Sequence, residues 1–196
     1  MRSTVQGGPS GFIQIGTQIW TKLNLNLDHY KNGDIIPEVT DPTAWANLTT
    51  GAWCYYNNDS AYGPIYGKLY NWYAVNDPRG LGYEGFHVPT NSEYITLRSF
   101  LGGLNYAGGK LKETGNTYWF EPNTGTNESG FSMRGGSHRV DDGTFGSLKL
   151  FGQLWTTTEI DPNTATKYYL AYNTDVFASG NFSKKTGYSV RLIKDN

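Results

Sequence analysis

Beyond the glycine pair Gly102-Gly103, the chain is broken into short pieces. KLKETG, YWFEPNTGTNESG, FSMRGGSHRVDDGTFG, LWTTTE, TKYYLAYNTD and TGYSVRLIK follow one another, with glycine, asparagine and threonine as punctuation. Such spacing limits this half to short strands and turns, and no helix is expected in it. The 25 glycines, 15 tyrosines and 6 tryptophans, against only 17% charged residues, extend the reading to the whole chain as a β-rich α+β fold. A length of 196 residues suits one buried core, so a single domain over 1–196 is expected, with 1–10 as a flexible N-terminal segment.

The first half carries the helices. GFIQIGTQIWTKLNLNL alternates apolar and polar positions, as two half-buried strands joined at Gly16 do. Asp41 or Thr43 is placed to cap a single turn over Ala44 to Leu48, and WCYYNND reads as a further short strand. In YGPIYGKLYNWYAVND, Tyr66, Leu69, Tyr70 and Tyr73 recur at three- and four-residue intervals, which predicts a buried helix. Thr90 and Glu93 form the T-x-x-E of a capping box, with Pro89 just before it. Ile95, Leu97, Phe100 and Leu101 carry that helix to the glycine pair.

Composition also excludes partners and chemistries. A net charge of -1 with scattered Lys and Arg lacks the basic footprint of a nucleic-acid binder. Cys54 is the sole cysteine, so an intrachain disulfide and a thiolate metal cluster are both ruled out. His29, His87 and His138 lie far apart in sequence. MRSTVQGGPSGFIQIG shows neither a signal-peptide core nor a lipobox, and no apolar run is long enough for membrane insertion, so the chain reads as soluble.

Each polar motif has a plain structural reading. His87, between Phe86 and Val88, reads as a buried structural histidine, because Thr90 and Glu93 are engaged in capping. Cys54 reads as a packed thiol, with no basic residue within five positions. Asp141-Asp142-Gly143 fits a hairpin turn with positive φ at Asp-Gly, and Glu159 fits a buried hydrogen-bonding residue. Glu121, Asn123 and Glu128 are the calcium candidates, with Asn127, Asp141 and Asp142 able to add oxygens toward the six to eight that the ion needs, and no cofactor is expected. The segment ATKYYLAYNTDVFASGNFSKK is the richest in recognition chemistry. Tyr168, Tyr169, Tyr172, Asn173, Asp175, Phe177, Asn181 and Phe182, with Arg139, are the candidate ligand contacts, because Tyr, Asn and Phe give contact area at low entropic cost. The alternative, that these aromatics only fill a sheet face, stands beside it.

The motifs IGTQIWTKLNLN (15–26), GAWCYYNND (51–59), YGKLYNWYAV (66–75), GFHVPTNSEY (85–94), GFSMRGGSHRVDDGTFG (130–146), LWTTTE (154–159) and GYSVRLIKD (187–195) occur in this order. In this the chain resembles the Fibrobacter succinogenes major paralogous domain family, over nearly its whole length. The resemblance implies a C-type-lectin-like fold: two helices on small twisted antiparallel sheets, paired termini and a long irregular loop region that presents the ligand. It also implies binding of a cell-surface glycan or protein, on a virion tail or a bacterial surface, with homo-oligomers or phage tail proteins as further partners. A kinship of that fold to formylglycine-generating enzymes makes an enzyme the disfavoured alternative, and a structural virion or envelope component is another. Relatives often have a second cysteine before the G-[WFY]-H-[LV]-P string and a leader; DPRGLGYEGFHVP lacks that cysteine.

Overall fold

The computed structural model describes residues 11–195, and the expected flexible segment 1–10 lies outside them. The elements run β1 (Phe12–Ile15), β2 (Gln18–Thr21), α1 (Pro42–Ala46), β3 (Trp53–Cys54), α2 (Gly63–Tyr66), β4 (Leu69–Tyr70), α3 (Trp72–Val75), β5 (Phe86–His87), α4 (Asn91–Phe100), α5 (Ala107–Leu111), β6 (Phe151–Glu159), β7 (Thr164–Ala171), β8 (Ala178–Ser183) and β9 (Ile193–Lys194). These strands form antiparallel sheets in the orders β1-β2-β9-β5, β3-β4 and β6-β7-β8, an α+β architecture as the composition predicts.

Local signals behave as expected where the chemistry is local. The β1 and β2 strands meet at Gly16, with Ile15 paired to Gln18. Asp41 caps α1 by accepting from the Ala44 N–H at 2.7 Å. The capping box of α4 is complete: the Thr90 hydroxyl accepts from the Glu93 N–H at 3.3 Å, and Glu93 Oε2 accepts from the Thr90 N–H at 2.7 Å.

Three expectations need correction. The helix expected over Tyr66 to Val75 is two single turns with β4 between them. Gly67 breaks it: its φ is +74°, and a Cβ there would sit 2.6 Å from the Leu25 carbonyl oxygen. Tyr70 then bonds Tyr188 and pairs with Trp53, and Asn71 caps the next turn at Ala74. Secondly, the region after Gly103 does contain a helix, α5. Its Gly108 lets the backbone approach Asp175, whose carbonyl accepts the Gly108 N–H at 2.7 Å. Thirdly, the hairpin over Val140 to Thr144 forms, but only Gly143 has positive φ.

The core lies on both faces of β6-β7. Leu154, Tyr168 and Leu170 pack with Trp20, Tyr94, Leu97 and Trp119, while Trp155 packs with Tyr70, Trp72, Tyr188 and Leu192. The C-terminal run from Thr186 to Ile193 is buried between the sheets: Tyr188 bridges Tyr70, Ser189 bridges Leu154, and Ile193 pairs with Trp20. Buried cations fasten this run. Arg191 donates to Asn24 Oδ1 and to the carbonyls of Thr21, Phe131 and Ser132, and burial pushes its pKa down to about 9. A guanidinium that gathers several backbone carbonyls satisfies acceptors the sheets leave over.

Candidate functional site

Three of the sequence-predicted contacts are inside the protein. Tyr168 is fully buried; its ring stacks on Tyr94 at 4.7 Å, and its hydroxyl donates to Asn91 Oδ1 at 2.8 Å. Phe177 is equally buried, 4.9 Å from the Tyr168 ring. Arg139 is buried over Trp45 and donates to the carbonyls of Gly143, Val39 and Thr40 at 3.0, 2.5 and 2.8 Å. A face packed against α4 and a buried guanidinium bonded to three backbone carbonyls are not presented to a ligand. Asn173, Asn181 and Phe182 are exposed, and Tyr169, Tyr172 and Asp175 are half-buried.

The structure brings Tyr172, Asn173 and Asp175 together with the Glu121–Asn123 loop, and a fully buried lysine does it. Lys112, at the end of α5, extends Nζ to Thr124 Oγ1 at 2.6 Å and to the carbonyls of Ala171, Tyr172 and Thr174 at 3.1, 3.0 and 2.8 Å. The Thr124 hydroxyl passes on a hydrogen bond to Asp175 Oδ1 at 2.5 Å, and the Thr124 N–H donates to the Tyr172 carbonyl. Burial lowers the Lys112 pKa to about 8, with the Asp175 charge opposing, so the ammonium persists at neutral pH.

On this clamped frame sits an exposed aromatic platform. Phe120 is 47% exposed, and its ring meets Tyr172 edge-to-face with centroids 6.2 Å apart. Phe151, 38% exposed, opens β6 opposite Ala171 at the same end of the sheet, and Asn173 lies just beyond. Sequence reasoning missed Phe120, Phe151 and Lys112. Phe120 had a signal, since Tyr118-Trp119-Phe120 directly precedes the Glu-Pro-Asn string; Lys112 had none.

The calcium candidates are engaged separately. The Asn123 side chain shapes its own loop, donating to the carbonyls of Glu113 and Gly115 and accepting from the Gly125 N–H. Glu121 accepts from Asn116, and Glu128 lies 3.7 Å from Lys110. Among the described residues no group of three His, Cys, Asp or Glu side chains is placed to hold a metal ion.

Tyr169 and Phe182 belong to a second cluster, further along the sheet. They flank Lys167, whose Nζ donates to Gln153 and lies 3.9 Å from the Phe182 ring, 4.3 Å from Tyr188 and 4.9 Å from Tyr169. Burial lowers the Lys167 pKa to about 7. Gln153 Nε2 also lies 2.8 Å from His138 Nδ1, and burial, helped by the Lys167 charge, lowers the His138 pKa to about 4. The imidazole is therefore neutral and accepts at Nδ1.

His87 is not the buried, acid-free residue expected from its neighbours. Its side chain is 39% exposed, with Nδ1 2.6 Å from Asp195 Oδ1 and Nε2 2.8 Å from Glu93 Oε1. Asp195 comes from the far end of the chain, and Glu93 serves cap and imidazole with different oxygens. Burial opposes the charged ring, but the hydrogen bonds to Asp195 and Glu93 outweigh it and raise the pKa above the usual value. Cys54 is buried as expected, and burial pushes its thiol up to about 12 despite nearby Arg139. Glu159, expected to be buried, is 52% exposed and pairs with the buried Lys184 at 2.5 Å.

Fold and site together define an α+β domain of small antiparallel sheets whose buried cations carry an exposed aromatic platform. The chain belongs to the Fibrobacter succinogenes major domain family, whose family model matches residues 13–194. No curated protein matches it, and no solved structure does. Among the described residues no helix is long and apolar enough to cross a membrane.

Proposed function

We propose that this domain is a non-catalytic recognition module that binds a cell-surface glycan or protein through the platform of Phe120, Tyr172 and Asn173. The edge-to-face contact of the exposed Phe120 ring with the half-buried Tyr172 ring carries this reading. Lys112 holds the Tyr172 backbone and the Phe120 ring packs on Tyr172, so less has to be ordered on binding, and the exposed Asn173 amide supplies hydrogen bonds. The reading adopts the C-type-lectin-like fold that the sequence resemblance implies, and with it display on a phage tail or a bacterial surface. A non-catalytic role is favoured by the chemistry of the reactive groups: both nitrogens of His87 are held by carboxylates, and the Cys54 thiol is buried and protonated.

A glycan and host-cell binding screen with the wild type and a Phe120→Ala/Tyr172→Ala variant tests it. Binding by the wild type, lost in a variant with unchanged circular dichroism, is expected; equal binding by both would contradict the site. A second reading, packing against a neighbouring structural subunit, draws on Phe100, Leu104 and Tyr106, which are 64%, 46% and 67% exposed around the end of α4.

A further inference from the structure

The hairpin of β1 and β2 lies beside the exposed face of α4, and the seam between them is a groove. Three depressions, of about 390, 580 and 300 Å³, follow one another along it. The first shares Thr17, Gln18 and Thr96 with the second, and the second shares Gln14, Gly16 and Phe100 with the third, so they form one continuous trough of ligand-site size. Phe100 supplies its aromatic wall. The ring is 64% exposed and is seated on the tip of the hairpin, where Gly16 has φ +61° and a Cβ would meet the ring at 2.9 Å. Glycine alone lets the ring lie there, so this surface is in place before a ligand arrives.

The polar groups of the groove are rich in acceptors. Gln14 Nε2 donates to the Gly16 carbonyl at 3.1 Å, Gln18 Nε2 to the Glu93 carbonyl at 3.0 Å and Thr96 Oγ1 to the Ser92 carbonyl at 3.1 Å. Each has spent a donor inside the protein and keeps its oxygen lone pairs. Gln18 Oε1 is buried, meets no donor among the described residues, and adds its partial negative charge to the same wall. Formal charge is confined to the two ends and balanced at each: Lys194 lies with Asp195 and the Glu93–His87 pair, and Lys110 is 3.7 Å from Glu128.

We propose that this groove binds a neutral oligosaccharide, with one sugar ring on Phe100 and its hydroxyls donating to Gln14 and Thr96. Anions are repelled by a wall of oxygens, and the lysine at each end cancels the pull of the neighbouring carboxylate on a cation. An extended peptide brings as many carbonyls as N–H groups and would leave the carbonyls unpaired, and an aliphatic chain would strand the oxygens without a donor. A pyranose brings hydroxyl protons for the acceptors and a C–H face for the phenyl ring. So open a groove binds weakly, with Kd of about 1 mM. It shares no residue with the Phe120 platform and is independent of it.

Titration of the isotope-labelled whole chain with maltotriose, cellotriose and mannotriose, each to about 20 mM and followed by amide chemical shifts, tests it. At least one of the three is expected to move the amides of Gly16, Thr17, Gln18, Thr96 and Phe100 saturably. Phe100→Ala removes the ring and Thr96→Arg fills the groove, and each is expected to weaken that binding by about tenfold or more, while Phe120→Ala/Tyr172→Ala leaves it unchanged. Thr96 is exposed on α4 and arginine is a good helix former, so Thr96→Arg keeps the wild-type fold. No shift at those amides with any of the three sugars, binding untouched by Thr96→Arg, binding lost with the Phe120 and Tyr172 side chains, or equal shifts with spermidine or trigalacturonate would each overturn the proposal.

Discussion

Lys112→Met would remove the ammonium that joins the irregular loop to the end of β7 while keeping much of the side-chain volume. The wild-type Nζ serves three carbonyls and one hydroxyl, all in a fully buried setting. Each hydrogen bond to a charged group contributes about 1.5–3 kcal/mol, but the lysine also loses hydration on burial, which offsets much of the sum. Methionine avoids that desolvation, takes the Lys112 donor from the Ala171 and Thr174 carbonyls, and leaves the Tyr172 carbonyl only the Thr124 N–H. The net loss expected is about 3 kcal/mol, a large share of the roughly 5–15 kcal/mol that holds a domain together. For a chain of this size that is a fall of about 6–12 °C in melting temperature, readable by calorimetry or urea unfolding. Amide exchange should locate the damage, with Gly108 and Thr124 losing protection before Tyr94 and Leu97 in α4. A loss under about 1 kcal/mol, or a gain, would refute the idea that the clamp outweighs its own desolvation.

Tyr168→Ala, which empties a fully buried site between Tyr94 and Phe177, is expected to cost about 3–5 kcal/mol in urea unfolding, whereas Asn173→Ala at the exposed rim changes stability by less than about 0.5 kcal/mol. Because the folded His87 titrates above the usual imidazole range, the folded state holds its proton more tightly than the unfolded chain. The resulting stabilisation is complete below about pH 6.5 and fades as pH rises through the folded value, a slope that His87→Ala should remove from a stability-versus-pH series. Cys54, buried with its thiol raised to about 12, should resist a water-soluble disulfide reagent in the native protein and react at once in denaturant.

What could be read from the sequence was what neighbours along the chain decide. The Thr90 and Glu93 box, the Asp41 cap and the Gly16 hairpin each need only a few adjacent residues, and all form as expected. The Tyr66 to Val75 segment misled because its apolar spacing fits a helix, while Gly67 and the distant partners Trp53 and Tyr188 impose a strand. In ATKYYLAYNTD the alternation of Tyr168 and Tyr169 is visible, but which row faces the core depends on where α4 packs, and that is not a local property. His87 shows the same limit. Its sequence neighbours are apolar, yet its second acid arrives from Asp195, beyond β9. Loop-clamping cations such as Lys112 and Arg139 look like ordinary charged residues until folding surrounds them with carbonyls.

The most direct test of the central claim is a paired reading of melting temperature and surface binding for Phe120→Ser/Tyr172→Ser. Binding to the cells or glycans that hold the wild type is expected to vanish while the melting temperature falls by no more than about 6 °C, because Phe120 is largely exposed, the half-buried Tyr172 ring loses only its partial packing on the core, and the Tyr172 backbone keeps its bond to Lys112. Full binding by that variant with its fold intact would contradict the account.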